Sequence, residues 1–210
     1  MNHSTKMPTE AQIREWKKQF VEIHKITPDP ARPNIFCIVR HPNMGDVVSS
    51  HELFGTDPIK GGGMQLQNCW LYGDESIKHD IELNRAASNM MASLFRVYAR
   101  EIEFLDLTDE LLASVPESAK ARVKTDATLR RITVKVADKS LSALLFRPTL
   151  EDVAKAELAQ NVAMKGACYL QECWIIGDEE LKTGSDEIKF AAYLAALHLI
   201  RTFTAEVEKL

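Results

Sequence analysis

Leu66-Gln67-Asn68-Cys69-Trp70-Leu71-Tyr72-Gly73-Asp74-Glu75-Ser76-Ile77-Lys78 recurs later in the chain. There it reads Leu170-Gln171-Glu172-Cys173-Trp174-Ile175-Ile176-Gly177-Asp178-Glu179-Glu180-Leu181-Lys182. Eight of the thirteen positions are identical, at an offset of 104 in a chain of 210 residues. A period of half the chain predicts two copies of one domain and not a solenoid of short repeats.

The pattern extends outward from both blocks. Downstream, apolar residues recur with the helical period from Ile81 to Leu105 and from about Ser185 to Leu210. This predicts a long helix closing each copy. The second, with Thr183 or Ser185 as its cap, would be about 39 Å long at the usual rise per residue. Upstream, Thr149 and Asp152 mark a helix start, and the pattern runs on to Trp174 as one helix. The matching stretch Met44 to Trp70 contains Gly55, Pro58 and Gly61-Gly62-Gly63, which should split it in two.

Before these helices lie strand signals. Ile132 to Val136 alternates, Asp138-Lys139-Ser140 turns, and Leu141 to Phe146 returns. In the first half the strands are Phe20 to Ile26 and Ile35 to Arg40, joined by a loop with Pro28, Pro30 and Pro33. Each hairpin ends in an arginine near a proline, Arg40 with Pro42 and Arg147 with Pro148. An isolated hairpin is marginal in water, so each must pack on its own helices or join the other in one four-stranded sheet. A short helix opens each copy, capped by Thr9 with Gln12 and by Thr108. The expected fold is therefore α+β. It has two tandem repeats, each a short helix, a β-hairpin and two or three further helices ending in a long one. The repeats span residues 1–106 and 107–210, with the boundary near Asp106.

Composition narrows the function classes. Apolar residues make up 45% and charged residues 27%, with a net charge of −4. The acidic balance argues against a nucleic-acid partner. No apolar run reaches the length of a membrane span, about 20 residues. No signal peptide is visible behind Met1, so a cytoplasmic setting is expected.

Catalytic and metal-binding patterns are weak. Cys37, Cys69, Cys168 and Cys173 sit in apolar strings and read as reduced, buried thiols. Cys168 and Cys173 fall on different helix faces, so neither a zinc site nor a disulfide is expected. Asp74-Glu75 and Asp178-Glu179 read as solvated turns before a helix. His51-Glu52 lacks the second histidine of a zincin helix, and Gly61-Gly62-Gly63 lacks the ending of a phosphate loop and reads as a connector. None of the six histidines recurs in both copies. Gly166 reads as a close-packing position. No catalytic residue, metal or cofactor is therefore expected. Cys69, Trp70, Gly73, Asp74, Glu75, Cys173, Trp174, Gly177, Asp178 and Glu179 read as a mainly structural repeat motif, with both indoles mostly buried. Met90 and Met91 are the candidate partner-binding residues, because methionine faces adapt to varied partners.

Glu15-Trp16-Lys17-Lys18, Asn68-Cys69-Trp70-Leu71-Tyr72-Gly73-Asp74-Glu75 and Cys173-Trp174-Ile175-Ile176-Gly177-Asp178-Glu179 together resemble small phage and prophage proteins of the tail assembly chaperone type. Members of that family are usually single units, whereas this chain reads as two fused units. The resemblance implies a non-enzymatic function in the host bacterial cytoplasm. It implies binding of the long helical tape-measure protein and of tail-tube subunits during assembly. A prophage regulator or inhibitor of a host protein is the alternative, and an enzyme with an unrecognised site is a third.

Overall fold

A computed structural model of the protein describes residues 5–125 and 128–200. It is α+β, with eleven helices and two antiparallel sheets among the described residues. The chain divides into two compact units between Arg96 and Val97.

The first unit runs α1 (Glu10–Gln19), β1 (Ile23–Ile26), β2 (Cys37–Arg40), α2 (Met44–Thr56), α3 (Pro58–Cys69), β3 (Trp70–Gly73), α4 (Ser76–His79) and α5 (Ile81–Leu94). Its helices start where local chemistry dictates. Thr9 and Gln12 cap α1 reciprocally, and Asn43 and Asp46 do the same for α2. Asp80 accepts the Glu82 and Leu83 amides to start α5. The sheet order is β1-β2-β3. Its core gathers Ile26, Cys37, Val39, Leu66, Cys69, Ile77, Leu83, Ala87 and Met91.

The second unit runs β4 (Ala99–Asp106), α6 (Asp109–Ser114), α7 (Glu117–Thr125), β5 (Thr128–Val136), β6 (Lys139–Leu145), α8 (Leu150–Glu157), α9 (Val162–Cys173), β7 (Trp174–Gly177), α10 (Glu180–Thr183) and α11 (Asp186–Ala196). The sheet order is β4-β5-β6-β7. The two hairpins therefore lie in different sheets, not in one. Leu129, Ile132, Val134, Leu145, Leu170, Leu181 and the alanine face of α11 form the core.

Several expectations need correction. The helix expected from Ile81 to Leu105 ends at Leu94. Phe95, extended and 5% exposed, turns into the core, and Ala99 to Asp106 forms β4. Glu101 and Glu103 alternate with Ile102 and Phe104 along that strand. Glu103 pairs with Arg131 across the ladder at 3.1 Å, and Glu101 pairs with Lys135. Since β4 pairs with β5, residues 99–106 belong with the second unit, and the division falls before them and not near Asp106.

The last helix is also shorter than expected. It ends at Ala196, and the Leu199 carbonyl accepts a hydrogen bond from the buried Arg130 guanidinium at 3.0 Å. The remainder of that expected helix, 201–210, lies outside the described residues. The helix expected from Leu150 to Trp174 breaks after Glu157. Asn161 starts a new helix there by accepting the Met164 amide at 2.9 Å. Met44 to Cys69 does split into two helices, but Gly61-Gly62-Gly63 lies inside α3 and is no connector.

The glycines allow close helix packing in both units. A Cβ on Gly62 would lie 2.8 Å from Ser88 Cβ on α5, and one on Gly166 would lie 2.3 Å from the Tyr193 carbonyl oxygen on α11. No helix among the described residues is long and apolar enough to cross a membrane.

Candidate functional site

Each shared residue of the Cys-Trp block has a physical task. Cys69 and Cys173 end α3 and α9, fully buried. Trp70 and Trp174 then begin β3 and β7, the strands that complete each sheet. The sequence pattern expected helix at both positions. Each short strand pairs with its neighbour through one register shift, at Ile38/Val39 and at Leu144/Leu145. Gly73 faces Cys37, where a Cβ would lie 2.6 Å from the Cys37 Cα, and its φ is 153°. Gly177 faces Ala143 with the same crowding, 2.5 Å. A side chain at either place would push the strands apart.

The acidic pair after each glycine anchors the turn. The Asp74 amide donates to the Phe36 carbonyl and the Asp178 amide to the Ser142 carbonyl, both at 2.9 Å. The Asp74 carboxylate accepts the Thr5 hydroxyl at 2.8 Å and the Ser76 amide at 3.0 Å. Asp178 is exposed and accepts the Ser142 amide at 2.6 Å. Glu75 and Glu179 hold Lys78 and Lys182 at 2.9 Å. Those ammonium groups sit 4.3 and 4.0 Å from the ring centroids of Trp70 and Trp174. The indoles are therefore mostly buried, as expected, packed against the two cores with lysine lids over the part that stays exposed.

A second shared arrangement is an arginine bridge. Arg40 donates to both Asp46 oxygens, at 2.6 and 2.8 Å, and to the Asn68 carbonyl at 3.1 Å. Arg122 donates to Asp152 at 3.1 Å and to the Glu172 carbonyl at 3.3 Å, and stacks on Phe146 at 4.1 Å. Burial raises the Asp46 carboxyl, but Arg40 and the Asn43 amide more than offset it, so the net shift is downward. Asp152 is likewise lowered: its burial is outweighed by Thr149 and then Arg122. Burial pushes the thiols of Cys37, Cys69 and Cys173 up to about 12, so these are poor nucleophiles.

The two methionines part company. Met91 is fully buried in the core, which corrects its reading as a partner-binding residue, while Met90 is 52% exposed. In the second unit a groove of about 590 Å³ is lined by Arg122, Arg147, Pro148, Thr149, Leu150, Val153 and Ile200. Leu150 is 90% exposed at its mouth. The sequence reading missed this groove, because Leu150 at the first position of a capped helix looks like any helix start.

The fold also assembles Glu22, His24 and His41, which the sequence reading passed over. The His41 amide donates to the Glu22 carbonyl at 3.0 Å, extending the β1–β2 ladder by one pair. His24 Nε2 lies 3.2 Å from His41 Nδ1. Burial, then His41, lowers the His24 pKa against the opposing pull of Glu22. The signal was there: residues two apart on a strand share a face, and a cross-strand partner joins them.

Comparison with protein-family models, with curated proteins and with solved structures gives no match.

Proposed function

We propose that this chain is a non-enzymatic binding protein of the phage tail assembly chaperone kind, built from two copies of one unit. It takes an amphipathic helical segment with acidic flanks, of the sort a tape-measure protein supplies. The groove beside α8 carries this reading. Its walls are the apolar side chains of Pro148, Leu150, Val153 and Ile200, with the Arg147 guanidinium and the Arg122–Asp152 ion pair beside them. An exposed leucine next to guanidinium groups suits an apolar helix stripe flanked by carboxylates. The motif residues support the duplication. β2 and β6, with β3 and β7, repeat one pairing with its irregularity in the same place. The resemblance around Trp70 and Trp174 supports the partner's identity.

Co-expression with the tape-measure and tail-tube proteins of the same phage, followed by pull-down, tests the proposal. The tape-measure protein should co-purify with the wild-type chain and be lost with Leu150→Asp. Recovery of neither phage protein would reject the chaperone reading in favour of a host-directed regulator.

A further inference from the structure

We propose that Glu22, His24 and His41 form a zinc site on the β1–β2 hairpin, against the expectation that the chain holds no metal. Glu22 and His24 are two apart on one side of the hairpin, so their side chains share a face. His41 is the cross-strand partner of Glu22, on the same face. His24 Nε2, His41 Nδ1 and Glu22 Oε2 are 3.2, 3.6 and 3.8 Å apart in pairs. A point equidistant from three atoms so spaced lies about 2.1 Å from each, the usual length of a zinc–nitrogen or zinc–carboxylate bond. The three ligand atoms already stand within 4.8 Å of one another. Two imidazoles and one carboxylate are a donor set that zinc takes readily, and three protein ligands leave one tetrahedral position for water or a partner's side chain.

The second unit supplies an internal contrast. Continuing the same register, Thr128, Arg130 and Arg147 occupy the places of Glu22, His24 and His41. Two guanidinium-bearing residues stand where the first unit has two imidazoles, so the site belongs to the first unit alone. The ion would clamp the two strands on either side of the connection that carries Pro28, Pro30 and Pro33. This inference is independent of the binding function proposed above.

The test is calorimetric titration of the chelator-treated full chain with Zn²⁺ at neutral pH. Co²⁺ absorption in the visible reports the coordination number. One zinc per chain is expected, with a dissociation constant of roughly micromolar order or tighter. His24→Gln and His41→Gln should each weaken it by about a hundredfold or more, and Glu22→Gln by about tenfold. Cys168→Ser should leave it unchanged. Zinc should also raise the melting temperature of the wild type and not that of His41→Gln. Because Glu22 is exposed, its variant keeps the test readable if a histidine variant fails to fold. Absence of binding, binding that survives both histidine substitutions, or binding lost with Cys168→Ser would overturn the proposal.

Discussion

Arg40 holds Asp46 through two guanidinium nitrogens, tying the end of β2 to the first turn of α2. In the second unit the same task falls to Arg122, on a helix that precedes the hairpin. The register explains the change of donor. Cys37 and Ala143 face Gly73 and Gly177, so the hairpins are offset by 106 residues and the glycines by 104. Phe146 therefore occupies the place of Arg40, and Arg147 that of His41. A one-residue slip on a strand reverses the face. The two arginines near prolines that look equivalent in sequence point to different surroundings.

The first prediction follows from that bridge. Arg40→Met should cost about 3–5 kcal/mol, because it strands a buried carboxylate. Arg122→Met should cost less, about 1–2 kcal/mol, since the Arg122 side chain is 38% exposed and water screens the pair. Urea unfolding of both variants measures the difference.

The pH dependence has a definite sign. Asp46 and Asp152 have folded pKa values below their unfolded ones. Their contribution is complete above the unfolded value, about 3.9, and is lost as pH falls through the folded value. Stability should drop below about pH 4, and Asp46→Asn should flatten that limb of the profile. Melting temperatures across pH 2–6, about that whole range being needed, test it.

Glycine substitutions should rank by what a Cβ meets. Gly73→Ala combines a crowded approach with a φ of 153° and should cost about 2–4 kcal/mol. Gly177→Ala meets the same crowding, from Ala143 and the Ser142 carbonyl, without the positive φ, and should cost about 1–3 kcal/mol. Chemical denaturation of the two single variants gives the order directly.

The lysine lids are separable from the indoles beneath them. Lys182→Met should cost about 0.5–1 kcal/mol. Trp174→Ala should cost about 2–3 kcal/mol, less than a fully buried indole. A double-mutant cycle should return a coupling of about 0.5 kcal/mol or more, and a coupling of zero would remove the cation–π contact from the account.

The blocks around Trp70 and Trp174 made the class of fold legible, because turn glycines and apolar periods are local signals. The caps at Thr9 and Thr149 are legible for the same reason. Illegible were the features set by tertiary pairing. Residues 99–106 carry a helical apolar spacing as well as an alternating one, and only the partner strand β5 decides between them. Trp70 and Trp174 become strand residues because Gly73 and Gly177 fit against Cys37 and Ala143. Glu22 and His24 share a strand face that the sequence shows, but His41 joins them only through the ladder.

The central claim is that the groove beside α8 takes an acidic, amphipathic helix from a tail protein. Fluorescence-anisotropy titration of a labelled tape-measure fragment with the full chain and with Leu150→Asp tests it most directly. The account predicts saturable binding with a dissociation constant of roughly micromolar order, weakened at least about tenfold by Leu150→Asp and weakened by added salt. Absence of binding, or equal binding by the wild type and Leu150→Asp, would contradict it.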